Sequence, residues 1–216
     1  MITLQKFEQS AILLTENEAN QSFAFDFGMF SETQINSLPP LKAVFVSHEH
    51  GDHYKFDHIK AMQTEKIFAA REAYEDLTNR SIAAELVVNK DEVGFGSIEV
   101  TAFEVDHGAI SKPISNLGFH IRLAGKNILF CGDMKVPGVV PDVNYDLTLV
   151  PVCGGKVIMD FQEAVDFLKT IKHPGLIVPV HYQGNADPES GLKFQAFAGN
   201  DFNVKVFKVK QSILLK

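Results

Sequence analysis

The chain has 216 residues, 45% of them hydrophobic, and a formal net charge of −7 at pH 7. This length and composition predict one domain over residues 1–216 with a full hydrophobic core. The acidic balance argues against a general nucleic-acid binder. No apolar run reaches membrane-spanning length, and the N-terminus lacks the basic start and apolar core of a secretory signal. We therefore expect a cytoplasmic protein without membrane contact.

In chain order, the first half predicts strands followed by short helices. Apolar runs predict four strands, at residues 2–7, 11–15, 21–27 and 41–46. In the third strand Phe23, Phe25 and Phe27 alternate with other residues, which predicts one buried face. Helical spacing of apolar residues then predicts two helices, at residues 56–62 and 71–78.

The second half repeats this order. Apolar runs predict strands at residues 98–105, 127–131, 176–180 and 202–209. Asp160 is a good helix N-cap with Glu163 at the third helical position, and residues 173–175 stop that helix. A last helix opens at residues 187–188 and ends at Gly199. This pattern fits two facing sheets with helices outside, although periodicity alone says only α/β or α+β.

The densest chemical signal is the loop after the fourth strand. Within six residues it carries three imidazoles and two carboxylates, of which the candidate ligands are His48, His50, Asp52 and His53. Neutral imidazole and carboxylate are the ligand set for Zn, Mn or Fe. Three later strands each stop at one further potential ligand: His107, Asp133 and His181. Each of these alone would more often be an ordinary loop residue, but their common placement predicts a metal site.

In this order the residues resemble the metallo-β-lactamase superfamily, whose signature is H-x-H-x-D-H, a lone His, Gly-Asp and a late His. The resemblance implies an α/β fold, the four-layer αββα sandwich, and a metal-dependent hydrolase. It implies that one ion is held by His48, His50 and His107. It implies that a second ion is held by Asp52, His53 and His181, and that Asp133 bridges the two.

Seven ligands are too many for one tetrahedral ion, so we expect two divalent transition-metal ions. Zn is the first expectation, with Mn or Fe as alternatives. Two such ions can share a hydroxide that attacks the substrate, and Asp52 is the candidate catalytic residue for steering or receiving a proton.

A second resemblance concerns residues 151–164 and 179–182, which contain Pro-Val-Cys-Gly-Gly, Met-Asp, Glu-Ala and Pro-Val-His-Tyr. They are similar to the branch that includes L-ascorbate-6-phosphate lactonase, which implies a small lactone or related ester, with or without a phosphate, as substrate. Two positions depart from the branch. Gln9 stands where the branch often has a His near the metals, and Met134 where it often has Thr.

Residues that flank the motifs or line nearby strands are candidate substrate contacts, namely Tyr54, Lys55, His120, Lys156 and Tyr182. Two other functions stay open. One is a metal-dependent phosphodiesterase, and the other is a non-catalytic, metal-stabilised binding protein. The expected partner is a small molecule, and a homo-oligomer is compatible with the sequence. Cys131 and Cys153 are predicted to be buried, reduced and inert.

Overall fold

The computed structural model describes residues 1–109, 114–183 and 187–216, and its centre consists of two mixed β-sheets. The first sheet contains, in spatial order, β13 (Ser212–Leu215), β1 (Ile2–Lys6), β2 (Ile12–Glu16), β3 (Gln21–Phe25), β4 (Leu41–Val46), β5 (Thr64–Ala69) and β6 (Glu85–Leu86). The second contains β12 (Leu176–Val180), β11 (Leu147–Pro151), β10 (Lys126–Phe130), β9 (Leu117–Leu123), β8 (Ile98–Glu104) and β7 (Glu92–Phe95).

Each sheet combines antiparallel hairpins with a parallel part. In the first sheet β1, β2 and β3 are antiparallel neighbours, whereas β3, β4, β5 and β6 run parallel. In the second sheet β7 to β10 are antiparallel, and β10, β11 and β12 run parallel. Parallel strands place their carboxyl ends on one edge of the sheet, where loops from different strands can converge on a site.

Helices cover the outer faces of both sheets. The four α-helices are α1 (Phe56–Ala61), α2 (Arg71–Asn79), α3 (Phe161–Thr170) and α4 (Ser190–Ala198). One apolar cluster fills the space between the sheets, where Phe45 stacks between Phe25 at 4.8 Å and Phe68 at 5.0 Å. On the outer face of each sheet, one further apolar cluster lies between the sheet and the helices that cover it. The predicted four-layer αββα arrangement is confirmed, as is the capping box formed by Asp160 and Glu163.

Two sequence-based predictions about the strands are wrong. Phe23 and Phe25 belong to the core between the sheets, but Phe27 packs in the outer core with α1 and α2. The strand ends at Phe25, and Asp26 has a φ of +54°, which turns the chain and breaks the alternation. Residues 202–209 form no strand. Val204 makes a single bridge to Ile177, and the closing strand is β13, which pairs with β1.

The start of the last helix and the connection before β4 also differ from the sequence-based prediction. The last helix begins at Ser190, after a turn at residues 188–189. Two short 3-10 helices, Met29–Ser31 and Ile35–Ser37, fill the connection before β4. Within the described part of the chain, none of the helices has the length and apolar character that crossing a membrane requires.

Candidate metal centre

The His-rich loop leaves β4 and is held in a tight turn against the segment after β3. The backbone N–H groups of His53 and Tyr54 both donate to the carbonyl of His50, at 2.9 and 2.8 Å. Gly28 packs on this turn so closely that a Cβ there would lie 2.0 Å from the carbonyl carbon of Asp52. Only glycine therefore permits this approach, which fixes the loop that carries four of the candidate ligands.

The other three candidate ligands lie at the carboxyl ends of strands in the second sheet. His107 follows β8, Asp133 follows β10 and His181 follows β12. Gly132 has a φ of +61° and faces the carbonyl of Leu117, so the turn that presents Asp133 requires glycine. His181 itself has a φ of +56°, and its N–H donates to the carbonyl of Gln9 at 3.2 Å. Gln9 therefore lies beside the His181 loop.

The structure brings all seven sequence-predicted ligands together. They form two groups in which the potential ligand atoms lie within 4.8 Å of one another. The first group is His48, His50, His107 and Asp133, and the second is Asp52, His53, Asp133 and His181. Asp133 is the member that the two groups share, so its carboxylate has the position of a bridge.

The distances around Asp133 suit coordination to metal ions. Its Oδ2 lies 3.0 Å from Nε2 of His181 and 3.3 Å from Nε2 of His107, and its Oδ1 lies 3.1 Å from Nε2 of His53. Around a tetrahedral ion with bonds near 2.1 Å, neighbouring ligand atoms are roughly 3.4 Å apart. Ligand atoms at these separations can therefore surround an ion without a rearrangement of the loops.

Hydrogen bonding provides a second test of the fit. His48 Nε2, His53 Nε2 and Asp133 Oδ1 are buried, and none makes a well-oriented hydrogen bond among the described residues, although His53 Nε2 and Asp133 Oδ1 lie 3.1 Å apart. Buried polar atoms normally have hydrogen-bond partners, because leaving one unpaired costs about 1–3 kcal/mol. These unpaired atoms all point into the two ligand groups, as metal-ligating atoms would. The residues present fit a pair of metal ions.

The electrostatics of the cluster favour bound cations. Burial alone would raise the pKa of Asp133, but His181 and His53 hold it well below its usual range. Burial alone would lower the pKa of His53, but the carboxylates of Asp133, Asp52 and Asp26 raise it to about 10. Burial lowers the pKa of His48 well below its ordinary value, and the nearby imidazole of His53 reinforces this. Either protons or metal ions can balance the negative charge of the carboxylates, so metal binding should displace protons.

A carboxylate that the sequence analysis missed orients two of the imidazoles. Asp26 is completely buried and accepts hydrogen bonds from His53 Nδ1 at 2.8 Å, from Ser47 N at 2.8 Å and from Ser47 Oγ at 2.6 Å. Since Ser47 Oγ donates to Asp26, it is free to accept from His48 Nδ1, 3.0 Å away. These contacts occupy the Nδ1 atoms, so each imidazole directs its Nε2 into the cluster, where a metal ion can replace any proton that it carries.

The remaining imidazoles have partners on their outer nitrogens as well. His107 Nδ1 donates to the carbonyl of Val157 at 3.2 Å, which leaves its Nε2 unprotonated. His181 Nδ1 lies 3.2 Å from Cys153 Sγ. Cys153 is partly exposed, so the prediction that it is buried is wrong, whereas Cys131 is buried as predicted. Asp26 follows the end of a strand, as Asp133 does. The search for a potential ligand after each strand would therefore have found Asp26 if the third strand had been predicted to end at Phe25.

Three of the five predicted substrate contacts have structural partners away from the ligand groups. The hydroxyl of Tyr54 donates to Asp76, that of Tyr182 to the carbonyl of Phe207, and His120 Nε2 is bonded to Asn127. Tyr54 and Tyr182 belong to the two outer cores. Lys55 is half-buried with its amine 3.8 Å from Glu32, and Lys156 is exposed. A substrate role stays a proposal for these two lysines.

A buried lysine beside the His181 loop was also missed. Lys6 is completely buried, and its amine donates to the carbonyl of Phe7 at 2.8 Å and to Gln183 Oε1 at 3.0 Å. The amine also lies 4.5 Å from the centre of the Tyr182 ring. Burial lowers the pKa of Lys6 to about 7, and the carboxylate of Glu8 opposes this only in part. Lys6 therefore joins the first strand to the loop that carries His181.

This lowered pKa predicts a pH dependence of stability. Lys6 titrates near pH 7 in the folded chain and at its ordinary 10.5 in the unfolded chain, so between these values the unfolded chain binds more protons. Taken by itself, Lys6 should therefore add about 2 kcal/mol to the free energy of unfolding from pH 7 to pH 9. His53, whose raised pKa makes the folded chain bind the additional proton over much of this range, acts in the opposite direction, so the contribution of Lys6 is read from the difference between variants. Denaturant titrations of the metal-free protein should show that Lys6→Met removes this contribution. The exposed control Lys60→Met should keep it, and equal pH slopes in the wild type and Lys6→Met would contradict the prediction.

Two mixed sheets between helices, with a His/Asp cluster at the strand ends, define the metallo-hydrolase type of fold. Residues 24–182 match the family model described as the beta-lactamase superfamily domain, and the chain belongs to this family. A curated relative, the UPF0173 metal-dependent hydrolase of Polynucleobacter asymbioticus, is 26% identical over 208 residues, which cover 83% of this chain and 71% of the relative.

Solved structures agree on the fold. A metallo hydrolase from the archaeon Ignicoccus hospitalis superposes with a TM-score of 0.78 at 19% identity, covering 100% of this chain and 99% of that one. An isothiocyanate hydrolase from Delia radicum gut bacteria gives a TM-score of 0.78 at 14% identity, covering 99% of each chain. The lactonase-like branch suggested by the sequence stays a prediction.

Proposed function

We propose that this protein is a hydrolase that depends on two divalent metal ions held side by side at the strand ends. The observation that carries the proposal is the position of Asp133, whose carboxylate belongs to both ligand groups. One ion would be held by His48, His50 and His107, the other by Asp52, His53 and His181. Zn suits this mixture of imidazole and carboxylate, as do Mn and Fe.

Two ions in these positions would supply a nucleophile at neutral pH, by lowering the pKa of a bound water, and would polarise the bond that is cleaved. The protein's part is to hold the ligand atoms in place and to manage protons. Asp133 is almost fully buried and holds the two groups together. The buried Asp26 and Ser47 contact the Nδ1 atoms of His48 and His53, which leaves each Nε2 as the nitrogen that can bind an ion once its proton is displaced.

Asp52 is the candidate catalytic residue. Its side chain is 21% exposed, against 2% for Asp133, so it is the carboxylate of the cluster that an incoming substrate can reach. Burial alone would raise the pKa of Asp52, but the neighbouring His53 and His181 hold it well below its usual range. Asp52 is therefore ionised at neutral pH and can orient the attacking water or receive its proton.

The proposed substrate class is a small lactone or related ester, supported by the residues at 151–164 and 179–182 that are similar to the lactonase-like branch. The runner-up is a phosphodiesterase, because two adjacent ions also promote in-line displacement at phosphorus. The proposed partner is a small molecule, and the net charge of −7 gives no support to nucleic-acid binding.

Paired substrate panels test this proposal. Metal-loaded protein should hydrolyse members of a small-lactone panel, lose that activity when the metal is removed, and regain it when Zn or Mn is added. Turnover of a phosphodiester panel alone would place the runner-up first. If protein shown by elemental analysis to carry two ions hydrolyses neither panel, a metal-stabilised binding protein becomes the better account.

A further inference from the structure

We infer that the groove along β8 binds an apolar, uncharged portion of the substrate, an inference that rests on the proposed hydrolase function and deepens it. The β8 groove is a cavity of about 870 Å³ with residues 101–108 on one wall and residues 136–141 on the other. This volume lies within the range of about 300–1,000 Å³ that is usual for small-molecule sites.

The groove meets the metal centre at one of the seven candidate ligands, His107, whereas the other six do not line it. His107, a candidate ligand of the first group, lines the same cavity as the residues of β8 that precede it. Residues 101–108 span roughly 20 Å of extended chain. A substrate whose reacting bond lies beside His107 can therefore extend an attached chain along β8.

The second wall is fixed in place. Asp106 forms a bridge with Val136, and its carbonyl accepts the N–H of Lys135 at 2.8 Å. Gly138 lies so close to β8 that a Cβ there would be 2.4 Å from the carbonyl oxygen of Glu104. These contacts hold residues 136–141 against β8, so the groove is a built feature of the fold.

The exposed apolar side chains of the groove indicate which kind of substrate group would bind there. Val139 is 93% exposed and Val136 is 53% exposed, and both lie on the second wall. Phe103 and the partly exposed Ile114 add further apolar surface to the lining. Exposed apolar surface next to a reaction centre suits a hydrocarbon chain, because covering it removes apolar area from water.

The charges of the groove argue against a phosphorylated occupant. Among its described lining residues, Lys90 is the one cation, whereas Glu92, Glu104 and Asp106 are anions. An anionic substrate group placed here would face net repulsion, so the groove selects an uncharged chain over a phosphate.

A homologous series of lactones tests this inference. γ-Butyrolactone, γ-hexalactone, γ-octalactone and γ-decalactone share one ring and differ only in the length of the alkyl chain. Each methylene that enters apolar surroundings is expected to lower KM about twofold to fourfold. Val139→Asp should flatten this dependence on chain length, and Val139→Ile should preserve it. Val139 is so exposed that neither substitution should disturb folding.

A control on a distant surface makes the result specific. Leu192 on α4 is also exposed, at 59%, and does not line the groove, so Leu192→Asp should leave the series unchanged. Calorimetric binding of γ-decalactone and of hexyl phosphate to metal-free protein gives a readout that needs no turnover and in which no metal ion can coordinate the phosphate. The lactone should bind the more tightly, and Val139→Asp should weaken its binding at least threefold.

The outcomes separate this inference from the proposed function. Turnover with a KM that does not depend on chain length, or an equal effect of Leu192→Asp, would overturn the groove while leaving the hydrolase proposal intact. If no lactone is turned over, the hydrolase proposal loses its support, and the groove stands or falls on the calorimetry. Absence of γ-decalactone binding, or tighter binding of hexyl phosphate, would overturn it.

Discussion

Asp133→Ala should reduce the metal content of the protein from two ions per chain to one or none, and its hydrolytic rate by at least about 100-fold. Residues that only orient a metal ligand already contribute 10–100-fold to affinity or activity, and Asp133 is placed to touch both ions directly. Removing its carboxylate also leaves the Nε2 atoms of His53 and His181 facing each other without the anion between them.

The measurement is elemental analysis of purified protein made with adequate Zn or Mn, together with the rate on the best substrate of the panel. Asp133→Asn, which keeps the shape and one good acceptor oxygen, should bind more metal than Asp133→Ala but less than the wild type. Asp166→Ala removes an exposed carboxylate from α3 and serves as the control for an ordinary aspartate substitution. Two ions and full activity in Asp133→Ala would show that Asp133 is only a turn residue.

Asp26→Asn should lower metal affinity about 10–100-fold, because Asp26 contacts His53 Nδ1 and so orients the Nε2 that faces Asp133. An Asn side chain can still accept the N–H of Ser47, but its amide would then point two N–H donors toward His53 Nδ1 and Ser47 Oγ. His53 can accept one of these donors only by moving its proton to Nε2. That nitrogen faces Asp133, and once protonated it cannot be a ligand.

This substitution separates orientation from folding. Asn tolerates the positive φ of residue 26 as Asp does, so Asp26→Asn should fold. Asp26→Ala should instead lose roughly 3–6 kcal/mol of stability, because three buried donors lose their acceptor. Nitrogen chemical shifts of His53 in the Zn-loaded protein report which of its ring nitrogens carries the proton, and metal titration reports the affinity. An unchanged tautomer with weakened metal binding would contradict the mechanism, and unchanged affinity would remove Asp26 from the site.

The sequence by itself was sufficient for the seven clustered residues, and its resemblance to the metallo-β-lactamase superfamily supplied the four-layer arrangement. Imidazoles and carboxylates are rare enough at strand ends that the dense loop at residues 48–53, followed by His107, Asp133 and His181, indicates one chemistry. Apolar periodicity is equally local, and it located most of the strands and the capped helix α3. Such features depend on neighbours in the chain, so they can be predicted before the fold is known.

Only the tertiary structure showed which residues contact the candidate metal ligands and which of their sequence neighbours point away from them. Asp26 and His53 are 27 residues apart, and Cys153 and His181 are 28 apart, so no local pattern reveals either contact. Tyr54 and Tyr182 adjoin the ligands in sequence, yet their rings belong to the outer cores. In an extended chain adjacent side chains point to opposite faces, and a single positive φ, as at Asp26 or His181, redirects everything that follows. These directions are set by packing between distant segments, which only the folded chain brings together.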